Sequence, residues 1–264
     1  MINEATGTAI FRDTRPIDPR YVNLVRKIIN KELSAVGLTA VPVGSSWKEE
    51  PDERSPEEWS GDVDTMVDLD DIIGVFQAEP DLTRNKKDTL EAANRRALRN
   101  YFDQKGYETA QAGVNVFVRV PFKDNFYQVD LECIRKVPKV SRYHQHNIPK
   151  GSPYKGVSKQ LMLAILAKQK GYVWSAWEGL FARTPDNKKG QLVADDWDKI
   201  AELLVGIPDG NAIDSVEAIM QALPPDQART LLSMAKQDKN WVERQPKPKV
   251  GTMEWFRNTL DLLR

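Results

Sequence analysis

The sequence predicts an α+β protein, and three observations carry that expectation. An apolar run that delivers Gly44-Ser45 precedes a second strand-like run that opens on Asp62-Val63-Asp64. Val114, Val116, Val118 and Val120 alternate as a half-buried strand does. Between and after these stretches, apolar residues recur at helical spacing. Through residue 134 the predicted order is helix, strand, strand, helix, strand, strand, a small mixed sheet with helices. The chain beyond residue 134 is mostly helical.

Each element has its own signal. Residues 1–18 read as irregular. Asp18-Pro19 starts a helix, with Asp18 as N-cap and Pro19 in the first position. Tyr21, Leu24, Val25, Ile28, Ile29 and Leu33 form its apolar stripe, and Gly37 ends it. Leu38–Val43 is the first strand. Residues 48–60, charged and holding Pro51 and Pro56, form an exposed loop before the strand Val63–Leu69. Asp70–Gln77 reads as a short helix, and Leu82 to about Gln104 as a long one. The long helix sets Leu90, Ala93, Ala97, Leu98 and Phe102 on one side. Arg84, Lys86, Lys87, Arg95, Arg96 and Arg99 make a solvated face on the other. Val114–Val120 and Phe126–Ile134 then pair as a hairpin about the turn Pro121–Asn125. Further on come a helix over Lys159–Lys170, a strand and turn over Gly171–Phe181 and a strand at Gly190–Val193. The helices Asp195–Leu204, Ala212–Leu223, Asp226–Gln237 and Met253–Leu263 complete the chain, the last after a linker over 241–251.

Composition sets bounds. With 264 residues, 41% apolar and 29% charged, the chain is long enough for one large domain or two small ones. The 38 basic and 38 acidic side chains cancel, so net charge gives no argument for nucleic-acid binding. Cys133 has no partner for an internal disulfide and reads as a small buried residue. There is no signal-like N-terminal stretch and no run of membrane-spanning length, so the expected location is cytoplasmic.

The distribution of charge is uneven. Glu49 to Asp81 holds thirteen acidic residues against one arginine, whereas Cys133 to Trp177 holds nine basic residues and no acidic one. The basic stretch, with Lys136, Lys139, Arg142, Lys155 and Lys159, suits a triphosphate or a nucleic-acid backbone. Its plainer reading is a solvated loop. His144 and His146 could bind a metal as a His-x-His pair, but read rather as loop residues or phosphate contacts.

Asp62 and Asp64, one residue apart on a strand, point to one face. Two carboxylates on one face repel unless a cation sits between them, and a divalent ion such as Mg2+ is the usual partner of an oxygen cluster. Gly44-Ser45 forms a small turn with a hydroxyl, suited to holding a phosphate through backbone N–H groups.

Gly44-Ser45, then Ser60-Gly61-Asp62-Val63-Asp64, then Asp130 on a later strand together resemble the nucleotidyltransferase superfamily that includes DNA polymerase beta. The connection from Ser45 to Asp62 is longer and more acidic than is usual there. Ser152-Pro153-Tyr154-Lys155-Gly156-Val157-Ser158 and the elements after it resemble the thumb of family X polymerases. Ser175–Leu180 replaces that family's Asn-Glu-Tyr-Gly-Leu, and Trp174 and Trp177 can equally be core aromatics. The resemblance implies a palm-like catalytic domain over 1–150, a thumb-like region over 151–206 and a helical extension over 207–264. It implies transfer of an NMP or dNMP from a nucleoside triphosphate to a hydroxyl, with a DNA or RNA 3′ end as acceptor. Two Mg2+ ions, replaceable by Mn2+, would be held by Asp62, Asp64 and Asp130. Gly44, Ser45 and Lys48 would hold the phosphates, Ser60 would lie beside them, and Tyr154, Gly156 and Ser158 would border the sugar and base. A template-independent RNA or tRNA nucleotidyltransferase, a small-nucleotide synthase and a non-catalytic nucleic-acid-binding relic stay open as alternatives. The absence of a Gly-x-Gly helix-hairpin-helix signature weighs against the templated polymerase.

Overall fold

The computed structural model describes residues 10–44, 62–83, 88–145, 147–149, 152–239 and 241. Ser45, Lys48, Ser60, His146, the acidic loop and the expected C-terminal helix lie outside the described residues. Helix α1 (Pro19–Ser34) starts where Asp18 accepts a hydrogen bond from the Arg20 amide. Strands β1 (Ala40–Pro42) and β2 (Val63–Asp68) come next, then α2 (Leu69–Phe76) and α3 (Leu90–Gln104). After them lie β3 (Glu108–Ala112), β4 (Asn115–Phe122) and β5 (Asn125–Ile134). These five strands form one mixed sheet in the order β1-β2-β5-β4-β3, in which only β2 and β5 pair in parallel.

The sheet has two unlike faces. Val63 and Val67 of β2, Val129, Leu131 and Cys133 of β5 and Val116, Val118 and Val120 of β4 pack against α1 and α3 in one apolar cluster. By strand alternation the opposite face carries Asp64 and Met66 on β2, and Asp130, Glu132 and Ile134 on β5. Met66 and Ile134 anchor a second cluster, which takes in the described elements after β5. Along this face Asp64 lies opposite Asp130, Met66 opposite Glu132, and Asp68 opposite Ile134, so the hydrophobic packing on Met66 and Ile134 runs directly beside carboxylates.

The second cluster is built from α4 (Val137–His144), α5 (Gly156–Gln169), an antiparallel meander and further helices. The meander is β6 (Tyr172–Ser175), β7 (Gly179–Arg183) and β8 (Lys189–Ala194). Helices α6 (Trp197–Val205), α7 (Val216–Ala222) and α8 (Pro225–Lys236) close the described chain. Tyr143 sits at the centre, its ring centroid 5.3 Å from those of both Trp174 and Trp197. Trp174 is thus half-buried in this core, while Trp177 is exposed.

Three expectations change. The long helix begins at Leu90, not Leu82, because Thr89 caps it by accepting from the Ala92 amide. Of its expected basic side, Arg84, Lys86 and Lys87 lie outside the described residues, while Arg96 pairs with Asp88 and Arg95 donates to the Cys133 carbonyl rather than standing in solvent. The basic stretch after Cys133 is not a loop throughout, since Val137, Val140 and Tyr143 bury one side of α4.

Candidate metal centre

Three elements bring the site together. Asp62 immediately precedes β2, Asp64 is the second residue of that strand, and Asp130 faces Asp64 directly in the parallel pair with β5. One carboxylate oxygen from each of Asp62, Asp64 and Asp130 lies within 4.8 Å of the other two. Asp130 is buried, and the other two are half-buried. Gln128, on the same face of β5, donates to Asp130 Oδ1 at 2.8 Å, while its own Oε1 accepts the Ile10 amide at 2.8 Å. The Thr65 hydroxyl donates to the Asp130 carbonyl at 3.3 Å. The third carboxylate is therefore aimed by its neighbours.

The turn beside the triad is held as tightly. The Val43 amide donates to the Asp64 carbonyl at 3.1 Å, and the Gly44 amide to the His144 carbonyl at 3.0 Å. Gly44 sits at φ +63°, and a Cβ there would lie 2.8 Å from Asp64 Cγ and closer still to Oδ2. Glycine is required twice over, by the left-handed backbone and by the carboxylate against it.

A fourth carboxylate, Glu132, stands beside the triad, and no sequence motif singles it out. Its position two residues beyond Asp130 puts it on the same face of β5, a signal that strand alternation alone provides. Burial together with its neighbours Asp130 and Asp62 pushes Glu132 up to about 7. Asp130 is likewise raised to about 7, by burial and by Asp62, against the Gln128 hydrogen bond. Asp64 is raised well above the carboxylate range by burial and then by Asp62, Asp130 and Glu132. Asp62 is raised by burial, which a backbone hydrogen bond and the Lys155 ammonium partly offset. Clustered, desolvated carboxylates of this kind resist ionisation until a cation joins them. An all-oxygen donor set at this spacing fits a hard divalent ion, and Asp62, Asp64 and Asp130 are close enough to hold one.

The other expected site residues divide. Lys155 lies close enough to act on Asp62, and Gly156 opens α5 next to it. Tyr154 is half-buried, edge-on to Trp241 at 5.5 Å. Ser158 is fully buried, so its side chain is closed to a sugar or base. Lys159 is 1% exposed, its ammonium donating to the Tyr143 carbonyl at 2.9 Å, and it offers no surface charge to a nucleic acid. Lys139, exposed, pairs with Asp195 at 2.8 Å, and half-buried Arg142 pairs with the buried Asp214 at 2.9 Å, so both cations already have intramolecular partners. Lys136 is exposed at the N-cap of α4. His144 ends α4 with its ring stacked on Trp177 at 4.5 Å and its Nε2 bonded to the Ala176 carbonyl at 2.9 Å. Cys133 is buried on the apolar face of the sheet. Among the described residues no helix is long and apolar enough to cross a membrane.

No protein-family model matches this sequence, and no curated protein matches it.

Proposed function

We propose that the chain is a metal-dependent nucleotidyltransferase that moves an NMP or dNMP from a nucleoside triphosphate to a hydroxyl acceptor. The observation that supports this reading is the convergence of Asp62, Asp64 and Asp130 beside a turn at Gly44 that only glycine fits. Asp62, Asp64 and Asp130 would hold two Mg2+ ions, or Mn2+ in their place, which when bound neutralise charge on the attacking and leaving oxygens. The Gly44 amide is given to the His144 carbonyl, so it is the N–H groups following Gly44 that would cradle the β- and γ-phosphates. Lys155, whose field already reaches Asp62, would balance charge on the triphosphate. Gln128 would keep Asp130 in one orientation as the acceptor hydroxyl arrives. The acceptor oxygen then bonds to the α-phosphorus, the bond to pyrophosphate breaks, and the hydroxyl proton leaves to solvent. Positioning and charge neutralisation carry most of such a reaction.

The acceptor divides two readings. A nucleic-acid 3′ end, in the manner of a minimal DNA polymerase beta-like enzyme, accords with the basic stretch after Cys133. The intramolecular pairing of Lys139 and Arg142 and the burial of Lys159 favour a small acceptor, such as a second nucleotide. Incubation with each labelled NTP and dNTP, Mg2+, and DNA or RNA primers, with and without template, separates them. Primer extension supports the first, a free oligonucleotide or cyclic product the second. No turnover with any acceptor, alongside intact metal binding, overturns the enzymatic reading.

A further inference from the structure

We infer that Lys159 and Gln160 of α5 are positioning residues that hold the Gly44 turn against Asp64 by gripping the chain behind it. The inference rests on the nucleotidyltransferase reading for its catalytic consequence, but not for its geometry. Helix α4 ends at His144, and a helix end leaves carbonyls without intrahelical donors. Three successive ones find donors in other elements. The Tyr143 carbonyl accepts from Lys159 Nζ at 2.9 Å and Gln160 Nε2 at 2.7 Å, and the Gln145 carbonyl lies 3.4 Å from Lys159 Nζ. The His144 carbonyl, between them, accepts the Gly44 amide at 3.0 Å. The Tyr143 and Gln145 carbonyls thus turn to α5 and the His144 carbonyl between them to the turn. Gly44 also bridges Gln145 in parallel, which fixes its register beside the Asp64 carboxylate.

The grip is itself anchored. Trp174 Nε1 donates to Gln160 Oε1 at 2.8 Å, and the Lys159 ammonium lies 5.1 Å from the centre of the Trp197 ring. An apolar side chain at 159 would fill the same space, but would leave the Gln145 carbonyl without this donor and Tyr143 with one donor fewer. Neither Lys159 nor Gln160 touches the carboxylates. Their effect on the site passes through residues 143–145 to Gly44. A residue acting this way on a phosphate-holding turn should alter how tightly the triphosphate is held more than how fast it reacts.

The test uses the full chain and the variants Lys159→Met, Lys159→Gln and Gln160→Leu, read by amide exchange at Gly44 and by steady-state kinetics with varied NTP. The Gly44 amide should exchange at least about tenfold faster in Lys159→Met and Gln160→Leu. KM for the triphosphate should rise about tenfold, with kcat within about threefold of the parent. Lys159→Gln, which keeps a donor, should recover most of both losses. Gln160→Leu removes one donor without disturbing the buried charge, so it carries the test if Lys159→Met does not fold. Unchanged exchange at Gly44 in a folded Gln160→Leu or Lys159→Met variant overturns the inference. A parent protein that transfers no nucleotide overturns the enzymatic reading alone, and the exchange result still decides the grip.

Discussion

Asp130 receives an amide N–H from Gln128 on one oxygen and faces Asp64 across the parallel pair. Replacing it with asparagine removes an oxygen donor and a like charge in one step. Under the proposed chemistry, Asp130→Asn should lower kcat by about a thousandfold or more, as loss of a metal carboxylate does. The same change should raise the melting temperature of the metal-free protein, because it relieves repulsion in a cluster that burial already makes costly. Transfer kinetics and a metal-free thermal melt read the two effects; a variant that keeps activity removes Asp130 from the site. Gly44→Ala acts differently. Its Cβ would overlap the Asp64 carboxylate at a backbone angle that disfavours alanine. It should cost about 1–3 kcal/mol of stability. It should also abolish transfer even where the fold survives, which retained turnover in a chemical-denaturation-matched assay would disprove. Asp62 and Asp64 are legible as an Asp-x-Asp pair on one strand, whereas Asp130, one aspartate inside a strand, is picked out only through the family resemblance. Gln128 is not legible, since its role depends on Ile10, 118 positions away.

Helix α4 marks a limit of local sequence signals. Its apolar side is only Val137, Val140 and Tyr143, its N-cap Lys136 lacks a capping side-chain bond, and Pro138 sits in its first turn. Such a segment is helical because the second core and its neighbours hold it, not by its own propensity. Strand β3, of sequence Glu108–Ala112, has few residues that favour a strand and is equally illegible; its conformation comes from pairing with β4. By contrast α1, with a capping Asp and a regular apolar stripe, is legible nearly to the residue. The end of α4 also carries a titratable group. Burial pushes His144 down to about 4, with its bond to the Ala176 carbonyl opposing and Lys159 adding to the shift. The folded pKa is below the usual 6.5, so the unfolded chain binds more protons between these values. Stability tied to His144 is complete above about pH 6.5 and is lost as pH falls toward 4, by at most about 3 kcal/mol. His144→Phe keeps a ring against Trp177 and removes the titration. Urea midpoints measured across that window should flatten in the variant; an unchanged acid limb assigns the effect to another group.

The molecule as a whole is two apolar clusters on opposite faces of one sheet, with Asp62, Asp64 and Asp130 gathered beside the second. The alternation of β2 and β5 is legible in the sequence, but not which part of the shared face is dry. Met66 and Ile134 lie on the same face as Asp64 and Asp130, opposite Glu132 and Asp68, and only the packing of α4, α5 and the meander makes their part of it dry. This arrangement couples ion binding to global stability. A divalent ion satisfies the folded cluster and has no equivalent site in the unfolded chain, so it stabilises by mass action, by about 2.7 kcal/mol at a hundredfold excess over Kd. For a chain of this length that corresponds to roughly 5–10 °C in the melting temperature. Titration with Mg2+ or Mn2+ should therefore raise the midpoint progressively, and Asp64→Asn should abolish the shift while leaving the metal-free protein no less stable. K+ at matched ionic strength should do neither, because screening acts weakly on buried charge. A midpoint that stays fixed across the divalent titration, or one that moves equally in Asp64→Asn, would mean that the three carboxylates converge without holding an ion.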